Sequence, residues 1–163
     1  HKLCADWEKT SEQALKYGVR VCLLRTGIVL GRDGGALKEM IPPFNFGLGA
    51  KFGNGKQWMS WIHMEDAVGA IIFLMNNNTL TGPFNLTAPE ATNNQTFSSE
   101  LAAALHRPCF LTMPKIVVEM LFGEMGKTLL LNGQNVVPSK LLNSGYQFKF
   151  PNVSAALENI LKH

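Results

Sequence analysis

The run VRVCLLRTG, residues 19–27, constrains the fold class more firmly than any other stretch of this chain. It is short, rich in β-branched residues and leucine, and bounded by Gly18 and Gly27. Its apolar residues follow one another without alternation, the pattern of a buried strand in a parallel sheet whose two faces are both covered. Ahead of it, HKLCADWEKTSEQALKYG places Leu3, Trp7 and Leu15, with Ala14 beside it, at helical spacing, and Gly18 is a good stop. A helix leading into such a strand is half of a βαβ unit, so a mixed α/β fold is expected.

The rest of the chain keeps that rhythm. ALKEMIPPF predicts a short helix broken at Pro42 and Pro43, and FGLGAKFGNG a glycine-rich loop. KQWMSWIH (56–63) reads as a strand, and MEDAVGAIIFLMNN (64–77) as a helix with an apolar stripe of Val68, Ile71, Ile72 and Met75. GPFNLTAP (82–89) is a strand, and Thr92 to Gln95 offer caps for the helix TFSSELAAALH, which stops at Arg107-Pro108. CFLTMP (109–114) is a further strand, after which Pro114 opens a helical segment over residues 116–131. PSKLLNSG and PNVSAALENILKH give two terminal helices around the alternating piece GYQFKF. There is no internal repeat, no low-complexity linker and no boundary for a second independent domain.

Composition excludes several classes of function. With 46% hydrophobic and 17% charged residues, the chain is an ordinary globular one, long enough for one full core. Its net charge of +3 is spread thinly, with no basic run interleaved with aromatics, so neither nucleic acid nor an anionic membrane is implied as a partner. No apolar stretch approaches the ~20 residues that cross a bilayer. Cys4, Cys22 and Cys109 are odd in number and far apart, which argues against a zinc site or disulfide framework and for a reducing, cytoplasmic compartment. Four N-x-[ST] triplets, at 77–79, 85–87, 94–96 and 152–154, pull toward secretion, but an asparagine-rich chain yields them by chance.

Single motifs carry little chemistry. GAKFGNGKQ fails as a phosphate loop, because Gly49 is one residue too far from Gly55-Lys56 and Gln57 stands in place of the magnesium-binding hydroxyl. G-x-G-x-x-G is absent, and so is the G-x-S-x-G of a hydrolase elbow. His63, followed by Glu65 and Asp66, has the makings of an acid/base cluster; the favoured alternative is that Asp66 serves the first turn of the next helix while His63 bonds locally. Arg25, at the end of a buried strand, wants a carboxylate or phosphate partner.

In order along the chain, VRVCLLRTGIVLG, GNGKQWMSWIHMEDAVGAI and GPFNLTAP resemble three landmarks of the extended short-chain dehydrogenases/reductases. HKLCADWE, IPPFNFGLG, ALHRP and GQNVVPSKLLNSGYQF are similar to their atypical, epimerase-family branch, the sugar-nucleotide epimerase-like or YfcH-type proteins, some of which carry a cell-division-inhibitor label. The resemblance implies the end of a Rossmann-type parallel sheet followed by a smaller mixed α/β substrate-side region. Residues 1–31 would be the last helix and strand of an NADP-binding Rossmann domain that begins upstream of His1, and residues 32–163 the substrate-side region with a family-specific C-terminal extension.

It further implies NADP(H) as cofactor, with backbone contact at Gly27, Ile28 and Val29, and a small-molecule substrate, nucleotide-sugar-like or a small carbonyl or alcohol, approached by Trp58, Trp61 and His63. The family's Tyr-x-x-x-Lys motif is missing: the only tyrosines are Tyr17 and Tyr146, followed at that spacing by Val21 and Phe150. In the helix where the motif belongs, Cys4 and Glu8 hold the four-residue spacing and become the catalytic candidates. A glutamate cannot copy a lysine's positive charge, so a non-catalytic NADP(H)-binding regulatory module is the alternative. The fragment by itself is expected to be inactive and to self-associate through surface that a Rossmann half would cover.

Overall fold

The computed structural model describes residues 2–118, 120 and 133–162. The N-terminal helix α1 (Lys2–Ser11) tightens into a 3-10 segment (Glu12–Tyr17) and ends at Gly18, whose φ of 72° provides the left-handed cap. Strand β1 (Cys22–Thr26) follows, then β2 (Ile28–Leu30), helix α2 (Gly35–Asn45), and the short strands β3 (Ala50–Phe52), β4 (Trp58–Met59) and β5 (Trp61–His63). Helix α3 (Met64–Asn76), β6 (Gly82–Leu86), β7 (Thr92–Asn93), α4 (Asn94–Ala104) and β8 (Leu111–Met113) come next, and α5 (Ser139–Asn143) and α6 (Val153–Leu161) close the chain. The expected α/β class is the observed one. Among the described residues, β1–β6, β2–β5 and β3–β8 pair in parallel and β4–β7 antiparallel.

The β2–β5 ladder is a partition between two hydrophobic cores. Strand residues alternate faces, so Ile28, Leu30 and Trp61 join one core while Val29 and Ile62 join the other. The first core is filled by Leu37 and Phe44 of α2, Phe97 and Leu101 of α4, and Ala156, Leu157 and Ile160 of α6. In the second, Ala67, Ala70 and Leu74 of α3 lie against Phe84 and Leu86 of β6. Side-chain caps start three helices: His63 accepts from Glu65 N, Asn93 from Thr96 N and Asn152 from Ala155 N.

Several expectations need correction. Pro42 and Pro43 do not break α2, which runs through both to Asn45; the carbonyls of Pro42 and Pro43 still accept from Phe46 and Leu48. The glycine-rich loop contains β3, held by its pairing with β8. The strand expected over 56–63 divides at Ser60 into two pieces with different partners. β1 is not covered on both faces, since Leu24, Arg25 and Thr26 are exposed. The apolar stripe of α3 is exposed as well; the face that packs is the smaller one of Ala67, Ala70 and Leu74. A helix apolar nearly all round does not declare from sequence which face is inside. GYQFKF forms no strand but a coil segment tied to α3.

The helix expected over 116–131 is present at 115–118; residues 119 and 121–132 lie outside the described residues. Among the described residues no helix is long and apolar enough to cross a membrane, and no cluster of three metal-ligating side chains occurs.

Candidate functional site

Strands β1 and β6 end together, Thr26 opposite Leu86. The next residue, Gly27, donates its N–H to Leu86 O at 3.0 Å, and Ile28 then donates to Ser60 O at 2.8 Å. Within two residues the chain has changed partner from β6 to the segment leading into β5. In open α/β sheets ligands bind in the crevice outside the carboxyl ends of the strands, and Gly27 lies just beyond those ends of β1 and β6. A Cβ at residue 27 would stand 2.6 Å from Ser60 O, 2.9 Å from the Ser60 carbonyl carbon and 3.1 Å from Thr87 Cγ2. Only glycine lets these backbones meet.

A strap, residues 133–138, crosses the same point. Ser60 Oγ donates to Gln134 O at 2.6 Å and accepts from Val136 N at 3.1 Å. Thr87 Oγ1 donates to Val136 O at 3.1 Å, and Asn85 Nδ2 to Val137 O at 3.2 Å. At Gly133 the strap runs so close to Trp58 that a Cβ would lie 2.8 Å from the Trp58 carbonyl carbon and overlap its backbone O and N. Ser60, Asn85 and Thr87 escape sequence reasoning. The one trace is Ser60 itself, a polar residue breaking the aromatic run WMSWIH where the strand divides.

The predicted site residues are only partly brought together. Gly27, Ile28 and Val29 lie at the crossover, with both amides of Gly27 and Ile28 used internally. Trp58 is partly exposed next to the strap. Trp61 is 1% exposed and packs in the first core, its indole N–H without a hydrogen-bond partner among the described residues. His63 is buried as well. Its Nδ1 accepts from Glu65 N at 3.1 Å, its ring lies 3.9 Å from that of Phe150, and the Asn159 side chain is a further polar neighbour. It lines the floor of an open cleft of about 820 Å³ formed with Arg32, Asp33, Met64 and Asn159.

Of the local reading of His63 and Asp66, the local bonding of His63 is observed and the expected service of Asp66 to its own helix is not. His63 caps α3, while Asp66, fully buried, takes the backbone N–H of Lys149 at 2.8 Å and of Phe150 at 2.9 Å. Glu65 pairs on the surface with Lys149 at 3.0 Å. Burial pushes the His63 pKa below its ordinary 6.5, against the opposing pull of the Glu65 and Asp66 carboxylates. Its contribution to stability is therefore complete above the unfolded pKa and lost as pH falls through the lowered folded one. Protonation would also replace the acceptor that Glu65 N–H needs. Urea midpoints measured downward from pH 7.5 are expected to fall below about pH 6.5, and the variant His63→Asn, which keeps a capping acceptor but does not titrate, should lack that component.

Cys4 is an exposed free thiol on α1. One turn on, Glu8 accepts two hydrogen bonds from Arg25, both at 2.7 Å. This is the carboxylate Arg25 calls for, and it commits Glu8 to an ion pair. The Arg25 bond lowers the Glu8 pKa from its ordinary 4.5, so the pair stabilises above that value and is lost as pH falls through the depressed one. Wild type and Glu8→Gln are expected to differ slightly in urea midpoint at neutral pH and to converge in acid and at high salt.

The strand crossover sits in a chain whose relatives are known. A model described as the NAD dependent epimerase/dehydratase family matches residues 1–102, and a domain of unknown function (DUF1731) matches residues 113–160. The chain belongs to the NAD dependent epimerase/dehydratase family. An epimerase family protein of Staphylococcus aureus (strain NCTC 8325 / PS 47) is 42% identical over 157 residues, covering 96% of this chain and 52% of its own. One from Mycobacterium bovis is 43% identical over 156 residues, with the same coverage of 96% and 52%.

Among solved structures, the human epimerase family protein SDR39U1 (isoform 2) with NADPH superposes with a TM-score of 0.85 at 40% identity, covering 88% of this chain and 49% of its own. A nucleoside-diphosphate sugar epimerase from Corynebacterium glutamicum gives 0.78 at 27%, covering 98% and 30%. The resemblance to atypical epimerase-family short-chain dehydrogenases/reductases therefore holds, and the chain spans about half the length of the curated relatives it matches.

Proposed function

We propose that this chain is the substrate-side portion of an NADP(H)-dependent oxidoreductase or epimerase acting on a nucleotide-sugar-like or small carbonyl or alcohol substrate. The observation that carries the reading is the partner switch at Gly27, with Ser60 and Thr87 packed against it. Residues 1–31 serve as the closing helix and strand of a Rossmann domain, and residues 32–163 as the substrate side. In support, α1 exposes Leu3 and Trp7, α3 exposes its large apolar stripe, and the second edge of β1 has no partner among the described residues. Faces of this kind pack against further layers in α/β sheets.

The residues present suit one end of the cofactor. Gly27, Ile28 and Val29 stand just past the carboxyl ends of β1 and β6, the end of the sheet a nicotinamide ring would approach, whereas no glycine fingerprint for the pyrophosphate occurs in the 163 residues. When bound, the cofactor supplies or accepts a hydride. Gly27 keeps the crossover narrow, Trp58 offers partly exposed aromatic surface beside it, and Cys4 is the one thiol on α1 available to move a proton. Calorimetric titration of the complete gene product with NADPH tests the cofactor, and NMR of a panel of nucleotide sugars and carbonyls tests turnover. No NADPH binding would sink the reading.

A second reading, a non-catalytic NADP(H)-binding regulatory module, is favoured by one observation: Glu8, where the family's lysine is expected, is locked to Arg25. It predicts binding without turnover across the panel. Turnover abolished by Cys4→Ala or Glu8→Ala would reject it.

A further inference from the structure

We infer that the strap at residues 133–138 positions the reacting groups of the site proposed above, and that Ser60 is the positioning residue that latches it. The inference rests on that proposed NADP(H) site. Four side-chain-to-backbone bonds tie the strap down, two of them on the single hydroxyl of Ser60 and the others from Thr87 and Asn85.

The same residues frame the crossover: the Ser60 carbonyl accepts from Ile28 N, and both Ser60 and Thr87 touch the space next to Gly27. Ser60 and Thr87 thus each face the strap with one group and the crossover with another. Ser60 is the sharpest case, its main-chain oxygen fixing β2 and its side-chain oxygen fixing the strap. A group bound at this end of the sheet must then feel whether the strap is seated, and the strap must feel whether that group is bound. Hydrogen bonds are the means because they are directional: they set the register of an extended segment, which apolar packing leaves free to slide. The strap also brings the exposed carboxamides of Gln134 and Asn135 to this end of the sheet, groups able to donate to and accept from hydroxyls and carbonyls alike.

The test is amide hydrogen–deuterium exchange of residues 133–137 in the complete gene product, with and without saturating NADPH, beside calorimetric NADPH affinities. Bound NADPH should slow exchange in the strap of the wild type. Ser60→Ala should abolish that slowing and weaken NADPH binding by about three- to tenfold, the worth of a lost hydrogen bond. Ser60→Thr, which keeps the hydroxyl, should restore both, an outcome a purely structural serine would not give.

If Ser60→Ala does not fold, Thr87→Val, which removes only the bond to Val136 O, takes its place with the same expected losses. NADPH binding with unchanged strap exchange, or an alanine variant that responds like wild type, overturns the inference while leaving the proposed cofactor intact. Absence of NADPH binding overturns both together.

Discussion

Replacing Gly27 with alanine is expected to destabilise the protein by about 3 kcal/mol, the upper range for forcing extra atoms into a packed interior, and Gly27→Val by more. The added methyl would meet Ser60 O at 2.6 Å and the Ser60 carbonyl carbon at 2.9 Å. These are backbone atoms of the segment that accepts from Ile28 N. They cannot swing aside as a flexible side chain does, so relief requires separating β2 from β5, the partition between the two cores. For a chain of this length the midpoint of thermal unfolding should drop by roughly 6–12 °C. Gly34→Ala is the matched control. Gly34, the N-cap of α2, has extended backbone at φ −164° and nothing within 4 Å of an added Cβ, so alanine there should lower stability by no more than about 1 kcal/mol. Equal effects at the two positions would refute the close-approach account of Gly27.

Removing the Asp66 carboxylate should cost more. Asp66 is fully buried, and its two oxygens take the amide protons of Lys149 and Phe150, with the Tyr146 hydroxyl 3.5 Å from one of them. Asp66→Ala leaves two donors without acceptors inside the protein, at about 1–3 kcal/mol each, so a loss of roughly 3–5 kcal/mol is expected. Asp66→Asn retains one accepting oxygen and should fall between alanine and wild type. Urea unfolding measures both. The loss should also reach His63, because the Phe150 ring that stacks on it is held by this clamp. Asp66→Asn also removes a carboxylate that pulls the His63 pKa upward, so in an NMR titration of the folded variant that pKa should fall further below 6.5. A His63 titration identical to wild type would mean that the Asp66 charge does not act on the imidazole. The surface pair Lys149–Glu65, more than half exposed on both sides, contributes little by comparison.

Both effects concern residues whose importance is unequally visible in the sequence. Gly27 stands out, since it ends an apolar run and heads a glycine-rich stretch, yet its reason does not: the clash partner is 33 residues away at Ser60. Asp66 is legible as an acid at the start of a helix, which suggests that it serves its own helix. Its actual partners are 83 and 84 residues on, in a segment whose alternation suggests a strand that never forms. Likewise Arg25 declares a need for an anion, but a strand-end arginine is indifferent to whether that anion is a ligand phosphate or a neighbouring glutamate. The structure supplies Glu8.

What the sequence determines by itself is local and periodic. Apolar spacing and punctuation by glycine and proline locate most helices and strands, because each follows from one residue's φ preference or from side chains three to four positions apart. The order of the landmark segments, GIVLG then WIHMED then FNL, also fixes the family. Only the tertiary structure decides which apolar face is inside, which strand pairs with which, and what lies over the crossover. The stripe of α3 and the aromatic pair Trp58 and Trp61 have equally apolar residues whose fates differ, and burial depends on the partner that arrives. The strap is the clearest instance. Three of its bonds run from side-chain hydroxyls and an amide to backbone carbonyls 49 to 74 residues away, and the fourth from the Val136 N–H back to the Ser60 hydroxyl; main-chain donors and acceptors have no residue signature for a sequence to show.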